Sequence, residues 1–369
     1  SDFSSAAVRD TVAAAIDIAR FTAADPCAGL ADASLMATAM PDLDLYHPWA
    51  LPVEGAIDLA RRCEAAAFAV SPQVSNSEGA SVSTQEAHFI SANSHGFMGG
   101  YPTSRNYIAC SVIAGEGDGM QRDDWYSTAR SGTALASPEA IGDYAARRAL
   151  ARMAGRKIKT CQVPVLFEAP LAASLIGSFV HAVSGGALYR KSSFLLDSLG
   201  QQVFPDHVSI SERPFLPQGL ASGPFDNDGV ATRDREVVAN GILQGYFLSA
   251  YTARKLGMQT TGNAGGCHNL LVHGGDLDFQ GLLRQMGRGL LVTELLGHGV
   301  NYVTGDYSRG AAGYWVEGGE IRHPVEEITI AGNLRDMFRG IVAVGSDTLC
   351  RGSKQVGSIL IDRMQVAGS

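Results

Sequence analysis

Apolar residues recur at helical spacing near the start of the chain. Ala7, Val8, Val12, Ala15, Ile16 and Ala19 share one stripe and predict a helix over residues 4–20. Turn-rich stretches follow, DPCAG at 25–29 and PDLDLYHP at 41–48. A second stripe, carrying Ala56, Leu59, Ala60, Cys63, Ala66 and Ala67, predicts a helix from Pro52 to Ala69. From Val74 the period shortens to two. The run ending at Ala114 reads as paired strands, with a hairpin turn at Asn93 and Gly96. Residues 137–155 return to helical spacing, with Pro138 in the first turn and Gly155 as the expected stop.

The basic run RKIKT marks an expected boundary near 157. Beyond it, VPVLFEA (163–169) reads as a buried strand, and the stripe Leu171, Leu175, Ile176, Phe179, Val180 and Val183 as a helix over 171–184. Asn240–Gly241 lies between two alternating runs and predicts a type I′ hairpin, because both central residues of that turn need positive φ. Gly318–Gly319 repeats the device; EEITIAG and GSILIDRM add strands, and 279–288 and 333–339 add helices. The expected fold class is α+β. A largely antiparallel, β-rich C-terminal domain with a buried helix (158–369) follows a smaller α/β central domain (41–157), with residues 1–40 a remnant of an N-terminal domain.

Composition narrows the possible functions. Hydrophobic residues make up 46% of the 369-residue chain and charged residues 18%, as in an ordinary globular protein. A net charge of −8 argues against a general nucleic-acid surface. Six cysteines stand apart at 27, 63, 110, 161, 267 and 350 with no CxxC pair, which suits a reducing, cytoplasmic setting. The uncharged stretch from Ala169 to Tyr189 is long enough to cross a bilayer, but Pro170, three serines, His181 and the Gly185–Gly186 pair favour a buried helix and no membrane.

Several segments invite a chemical reading. The helix LIGSFVHAVSGGALYRK (175–191) has one histidine and no acid, whereas a zinc helix needs two imidazoles a turn apart and a glutamate to activate water. His181 reads as a core or interface histidine. The segment GCHNLLVHGGDLDF is the most metal-like in composition, with Cys267, His268 and His273, but its spacing enforces no convergence and a glycine-rich loop entering a strand is the plainer reading. GEGDG (115–119) lacks the spacing of a dinucleotide loop and reads as a hairpin turn. Arg147, Arg148 and Arg152 read as the solvated face of a helix.

Longer blocks carry a family resemblance. DLDLYHP, NSHG, LYRKSSFLLDSLG, GLASGPFDNDGVATRDREVV, YTARKLGMQTTGNAGG, TGDYSRGAAGYWVEGGEI and ITIAGNLRDM closely resemble the TldE/PmbA family, in order along essentially the whole chain. The resemblance implies a further N-terminal portion, of which residues 4–20 look like the last helix. It also implies a TldD-like partner subunit, a homodimer being the other assembly considered, in an intracellular metalloprotease complex acting on unfolded peptides in peptide-antibiotic maturation and antitoxin degradation. TldD-like chains carry HExxxH on the equivalent helix. Here the six positions are Gly177, Ser178, Phe179, Val180, His181 and Ala182, so Gly, Ser and Ala stand for His, Glu and His. Cys350 lies in the region of the family's C-terminal cysteine ligand. This chain is therefore expected to have no catalytic residue and no metal of its own, with zinc in the TldD-like subunit. His268, Asn269, Asp306 and Arg309 are the expected substrate- or partner-contacting residues. The alternative is a stand-alone homodimeric peptide-binding scaffold, and a third reading is a hydrolase with metal at Cys267, His268 and His273.

Overall fold

The computed structural model describes residues 2–368. Helix α1 (Ser5–Phe21) forms where predicted, capped by Ser4 Oγ on the Ala7 N–H, and none of its residues is buried. Helix α2 (Val53–Val70), strands β1 (Val74–Ala92), β2 (Met98–Ala114) and β3 (Gln121–Ala129), and helix α3 (Pro138–Ala151) build the central unit. The three strands form one antiparallel sheet, with α2 and α3 packed through Cys63, Ala67, Ile141 and Ala145 against Ile108, Cys110 and Val112. Ser137 caps α3 and Pro138 opens it as expected, but the helix ends at Ala151, and it is Ala154 that takes positive φ (59°) rather than Gly155.

β3 pairs only with Asn106–Ala114 of β2, so the outer half of the β1–β2 hairpin projects as a two-stranded arm. Its tip grips Phe225 of the second unit, with Phe97, Tyr101 and Phe89 ring centres 5.1, 5.5 and 5.7 Å away. The turn falls at Asn93–Gly96, where Gly96 adopts φ 82°.

The second unit contains β4 (Cys161–Phe167), α4 (Ala169–Ala182), α5 (Gly185–Tyr189), β5 (Ile210–Glu212), β6 (Arg235–Ala239), β7 (Ile242–Leu243), α6 (Ala250–Lys255), β8 (Leu270–Val272), α7 (Phe279–Met286) and β9 (Arg288–Leu296). β10 (Asp306–Glu317), β11 (Glu320–Asn333), α8 (Leu334–Arg339), β12 (Ile341–Val344), β13 (Leu349–Cys350), β14 (Lys354–Val356) and β15 (Ile359–Ala367) complete it. One sheet runs β11-β10-β9-β4-β15-β12 and closes on itself, because Thr329–Ala331 of β11 pair with Gln365–Ala367 of β15. The other runs β13-β14-β8-β5-β6-β7. Most pairings are antiparallel, but β4–β9 and β14–β8 are parallel.

β4 reads as a continuous apolar run because both its faces are covered. Val165 and Phe167 enter the main core, while Leu166 packs under α7 with Leu282 and Leu291. The strand stops at Phe167; Glu168 and Ala169 begin the next helix rather than end the strand. Both glycine-bearing turns form as predicted: Asn240 and Gly241 have φ 48° and 78°, Gly318 and Gly319 φ 66° and 74°. The second alternating run after Asn240 does not extend as a strand. It yields a two-residue β7 and then the unpredicted α6, which Ser249 and Thr252 open with a capping box. Among the described residues no helix is long and apolar enough to cross a membrane.

Candidate functional site

Helix α4 lies between the two sheets of the second unit. Leu175, Ile176 and Phe179, at most 2% exposed, pack with Ile210, Val238 and Leu270 of one sheet and Val292, Ile330 and Ile361 of the other. Each contributes about 1.5–3 kcal/mol by leaving water. Glu168 occupies the N-cap position without a side-chain cap bond, and the Ala169 N–H donates to Ser358 Oγ at 3.1 Å. The positions that would carry family ligands differ in burial. Gly177 is half-buried, Ser178 is 6% exposed and Ala182 is fully buried.

No donor set exists there for the zinc that the family implies. Gly177 and Ala182 supply no ligating atom, and Ser178 Oγ donates to Ser174 O at 3.4 Å and stands 3.5 Å from the Tyr302 hydroxyl. His181 is exposed, with its ring against Tyr302 at 4.0 Å between centres, so it is not a core histidine. Partial burial, with some help from Arg190, holds it below the usual imidazole range. The space beside Gly177 is taken by a lysine: a Cβ at that position would stand 3.6 Å from Lys354 Cε and 3.9 Å from its Nζ. Cys350 is half-buried two residues from the Gly352 carbonyl that its thiol faces at 3.7 Å, and burial pushes that thiol up. These residues do not fit the metal.

The metal-like trio does not converge either. Cys267 Sγ faces Ser353 Oγ, His268 presents its two ring nitrogens to the Ala221 and Gly262 carbonyls, and His273 Nε2 meets Ser211 Oγ. Among the described residues no three His, Cys, Asp or Glu side chains are placed to hold a metal.

His268 and Asn269 belong to a polar scaffold around buried Glu212. Arg235 donates to one Glu212 oxygen at 2.6 Å; Asn263 and the His268 N–H donate to the other, each at 2.8 Å. Asn269 is fully buried, accepts from the Ala221 N–H and donates to Arg213 O and Ser222 Oγ. Its amide is fully committed to holding the loop. Asp306 and Arg309 lie on the other sheet. Asp306 is exposed and accepts from Thr304 Oγ1 and Asn333 Nδ2; Arg309 is half-buried with an Nε that has no partner. β10 pairs with β11 from Asp306 onward but with β9 only from Gly310; at Asp306–Ser308 the other edge is covered by residues 299–301, with the Asn301 N–H donating to Asp306 O and the Ser308 N–H to Gly299 O.

The arginines of α3 are where the sequence was most misleading. Arg147 is solvated, but the Arg148 and Arg152 side chains are only 13% and 12% exposed. Arg148 joins Asp123 (3.1 Å) to Glu168 (2.7 Å), and Arg152 pairs with Asp123 and Glu294, so the two units meet across a buried charge network at the entrance to α4. Burial works against the charge on Arg148, but Glu168 and Asp123 together hold its guanidinium firmly protonated. Arg351 completes the cluster, stacked on Trp125 and Tyr126. Neither it nor Lys354 carried any signal of spacing.

Residues 46–153 match the PmbA/TldA metallopeptidase central domain and residues 160–368 its C-terminal domain. The chain is 49% identical to the metalloprotease PmbA of Escherichia coli O157:H7 over 368 residues, covering all of this chain and 82% of that protein. It is likewise 49% identical to the PmbA homolog of Haemophilus influenzae over 373 residues, again covering 100% and 82%. A crystal structure from Bacteroides thetaiotaomicron, described as a candidate modulator of DNA gyrase, superposes with a TM-score of 0.91 at 28% identity, covering 96% of this chain and 81% of that one. TldE from Thermococcus kodakarensis shares the fold with a TM-score of 0.77 at 20% identity, covering 95% and 82%.

Proposed function

The chain belongs to the PmbA/TldA metallopeptidase family, and from that premise we propose that it is a non-catalytic subunit of an intracellular protease complex. A TldD-like subunit would carry the zinc and cut; this chain would close the cavity and help to hold an unfolded peptide, in work such as peptide-antibiotic maturation or antitoxin degradation. One observation supports the reading above others: α4 keeps its place between the sheets while Gly177, Ser178 and Ala182 provide neither a metal ligand nor a general base. Asp306, with its exposed carboxylate, is the side chain most open to a peptide or partner among the four singled out from sequence; His268 and Asn269 act by shaping the loop beneath.

The test is to purify the chain alone and with a TldD-like subunit, measure metal content, and follow cleavage of an unfolded polypeptide. Cleavage by the mixture and none by either preparation depleted of the partner is expected. Stoichiometric metal on the lone chain together with cleavage would overturn the reading. Recovery of homodimer only, with no effect on a TldD-like protease, would favour a peptide-binding scaffold instead.

A further inference from the structure

A cavity of about 130 Å³ opens beside the first turns of α4, between Ala169, Pro170 and Ala173 on one side and residues 349–354 on the other. Its walls are mostly small and apolar, yet two cations line it. The Arg351 guanidinium is clamped 3.9 Å from the Trp125 ring centre and 3.8 Å from that of Tyr126, and its Nη2 donates to Tyr126 O at 2.9 Å. Its Nε is buried without a hydrogen-bond partner. Lys354 enters none of the ion pairs among the described residues, and its ammonium lies along the Ala173–Gly177 face of α4.

The carboxylates near this corner are otherwise engaged. Glu168 gives one oxygen to Arg148 at 2.7 Å and keeps Oε2 buried without a partner, Asp124 faces Arg122 at 4.0 Å, and both carboxylates offset part of the burial cost on Arg351 without pairing with it. No Asp or Glu lines the cavity. The helix itself adds no donor, since the Ala169 N–H goes to Ser358 Oγ and those of Leu171 and Ala172 to the Glu168 carbonyl. Recognition of an anion here therefore falls to residues 351–354 rather than to the helix. Burial that disfavours the Arg351 charge is relieved when an anion enters.

We propose that this cavity binds the free carboxylate of a peptide end, with Lys354 and Arg351 as the recognising cations and the Ala/Pro wall accepting one small terminal side chain. The peptide as occupant rests on the function proposed above; the preference for an anion rests on the cavity alone. A stacked guanidinium beside an ammonium with no ion pair among the described residues suits a two-oxygen acceptor, and charge-assisted hydrogen bonds of this kind correspond to about 10-fold or more in affinity. The site would then hold a chain end rather than grip its middle, on the helix face that carries Gly177.

Calorimetric titration of the full chain with N-acetyl-trialanine, its C-terminal amide and inorganic phosphate tests this. The free acid is expected to bind at least about 10-fold more tightly than the amide. Lys354→Met should remove that difference without moving the melting temperature, Arg351→Lys should weaken it, and Lys159→Met, on the exposed linker, should leave it intact. Equal binding of acid and amide, or an unchanged preference in Lys354→Met, would overturn the carboxylate site. Phosphate binding more tightly than the peptide acid would overturn the peptide end as its occupant. Metal content, which reads the proposed function, is measured on the same sample, so either idea can fail alone.

Discussion

Replacing Arg148 by Met probes how the two units are held together. The wild-type guanidinium, 13% exposed, bridges Asp123 (10%) and Glu168 (14%), and lies 5.2 Å from the Trp125 ring centre. Met keeps much of the aliphatic volume but leaves two buried carboxylates facing each other. Removing one partner of a buried pair costs about 3–5 kcal/mol. Two features reduce this: Arg152 still reaches Asp123 at 3.6 Å, and Glu168 can take up a proton, since burial already raises its affinity for one. Loss of the cation–π contact adds about 1 kcal/mol. A net destabilisation of about 3 kcal/mol is expected. Urea unfolding at neutral pH, followed by circular dichroism and by tryptophan fluorescence with Trp315→Phe as background, so that Trp49 and Trp125 report the central unit, measures it. Because the network spans the interface, the two signals should separate in the variant, with the central unit parting first. Glu168→Gln in the same background should return at least about 1 kcal/mol by deleting the stranded charge. A variant within about 0.5 kcal/mol of wild type, or strict additivity of the two changes, would refute the reasoning.

Phe225→Ala should cost about 3–5 kcal/mol, since a 2%-exposed ring in contact with three others leaves a cavity that the arm cannot collapse into, and limited proteolysis near the Asn93–Gly96 turn should speed up; an unchanged cleavage rate would count against docking of the arm. Asp226 is pushed up from 3.8 to about 6, mainly by burial and despite N–H donors from Ala264 and Val230. A carboxyl that holds its proton more tightly when folded adds stability as pH falls through that window, by at most about 3 kcal/mol. His181, shifted the other way, opposes this, so the measurement is the difference in unfolding free energy between wild type and Asp226→Asn from pH 7 to 5; parallel curves would exclude the assignment.

Local signals in the chain carried local structure well. Two consecutive positive-φ residues dictate their hairpins at Asn240–Gly241 and Gly318–Gly319 whatever surrounds them. Period-two and period-3.6 runs marked β1, β2, α2 and α3 within a few residues. Pairings distant in sequence had no such marker: closure of the sheet depends on three residue pairs between β11 and β15, chosen by packing rather than by a turn. The faces of α3 show the same limit. Helical spacing says that Arg148 and Arg152 share a side, but their burial is decided by Glu168 and Glu294, which arrive from later in the chain. At the site, missing ligands were legible by residue type alone, whereas the cations of 351–354 were not, because contacts distant in sequence, the β14–β8 pairing and the Arg351–Tyr126 hydrogen bond among them, bring that hairpin to α4.

The absence of ligands on α4 and the survival of the helix are connected by geometry. Leu175, Ile176 and Phe179 hold the sheets together from a stripe that Gly177 does not share, so losing an imidazole at 177 removes no core contact. At 182 the change runs deeper. Ala182 is fully buried, and its carbonyl accepts from Ser193 Oγ at 2.6 Å, so the core has closed around a methyl group. An imidazole there would overpack by about 1–3 kcal/mol. At 177 it would meet the Lys354 ammonium, a cation competing with any metal for the same electron pairs. Placing His, Glu and His at the three positions would therefore not by itself build a metal centre. The core at Ala182 and the charge at Lys354 both stand against it.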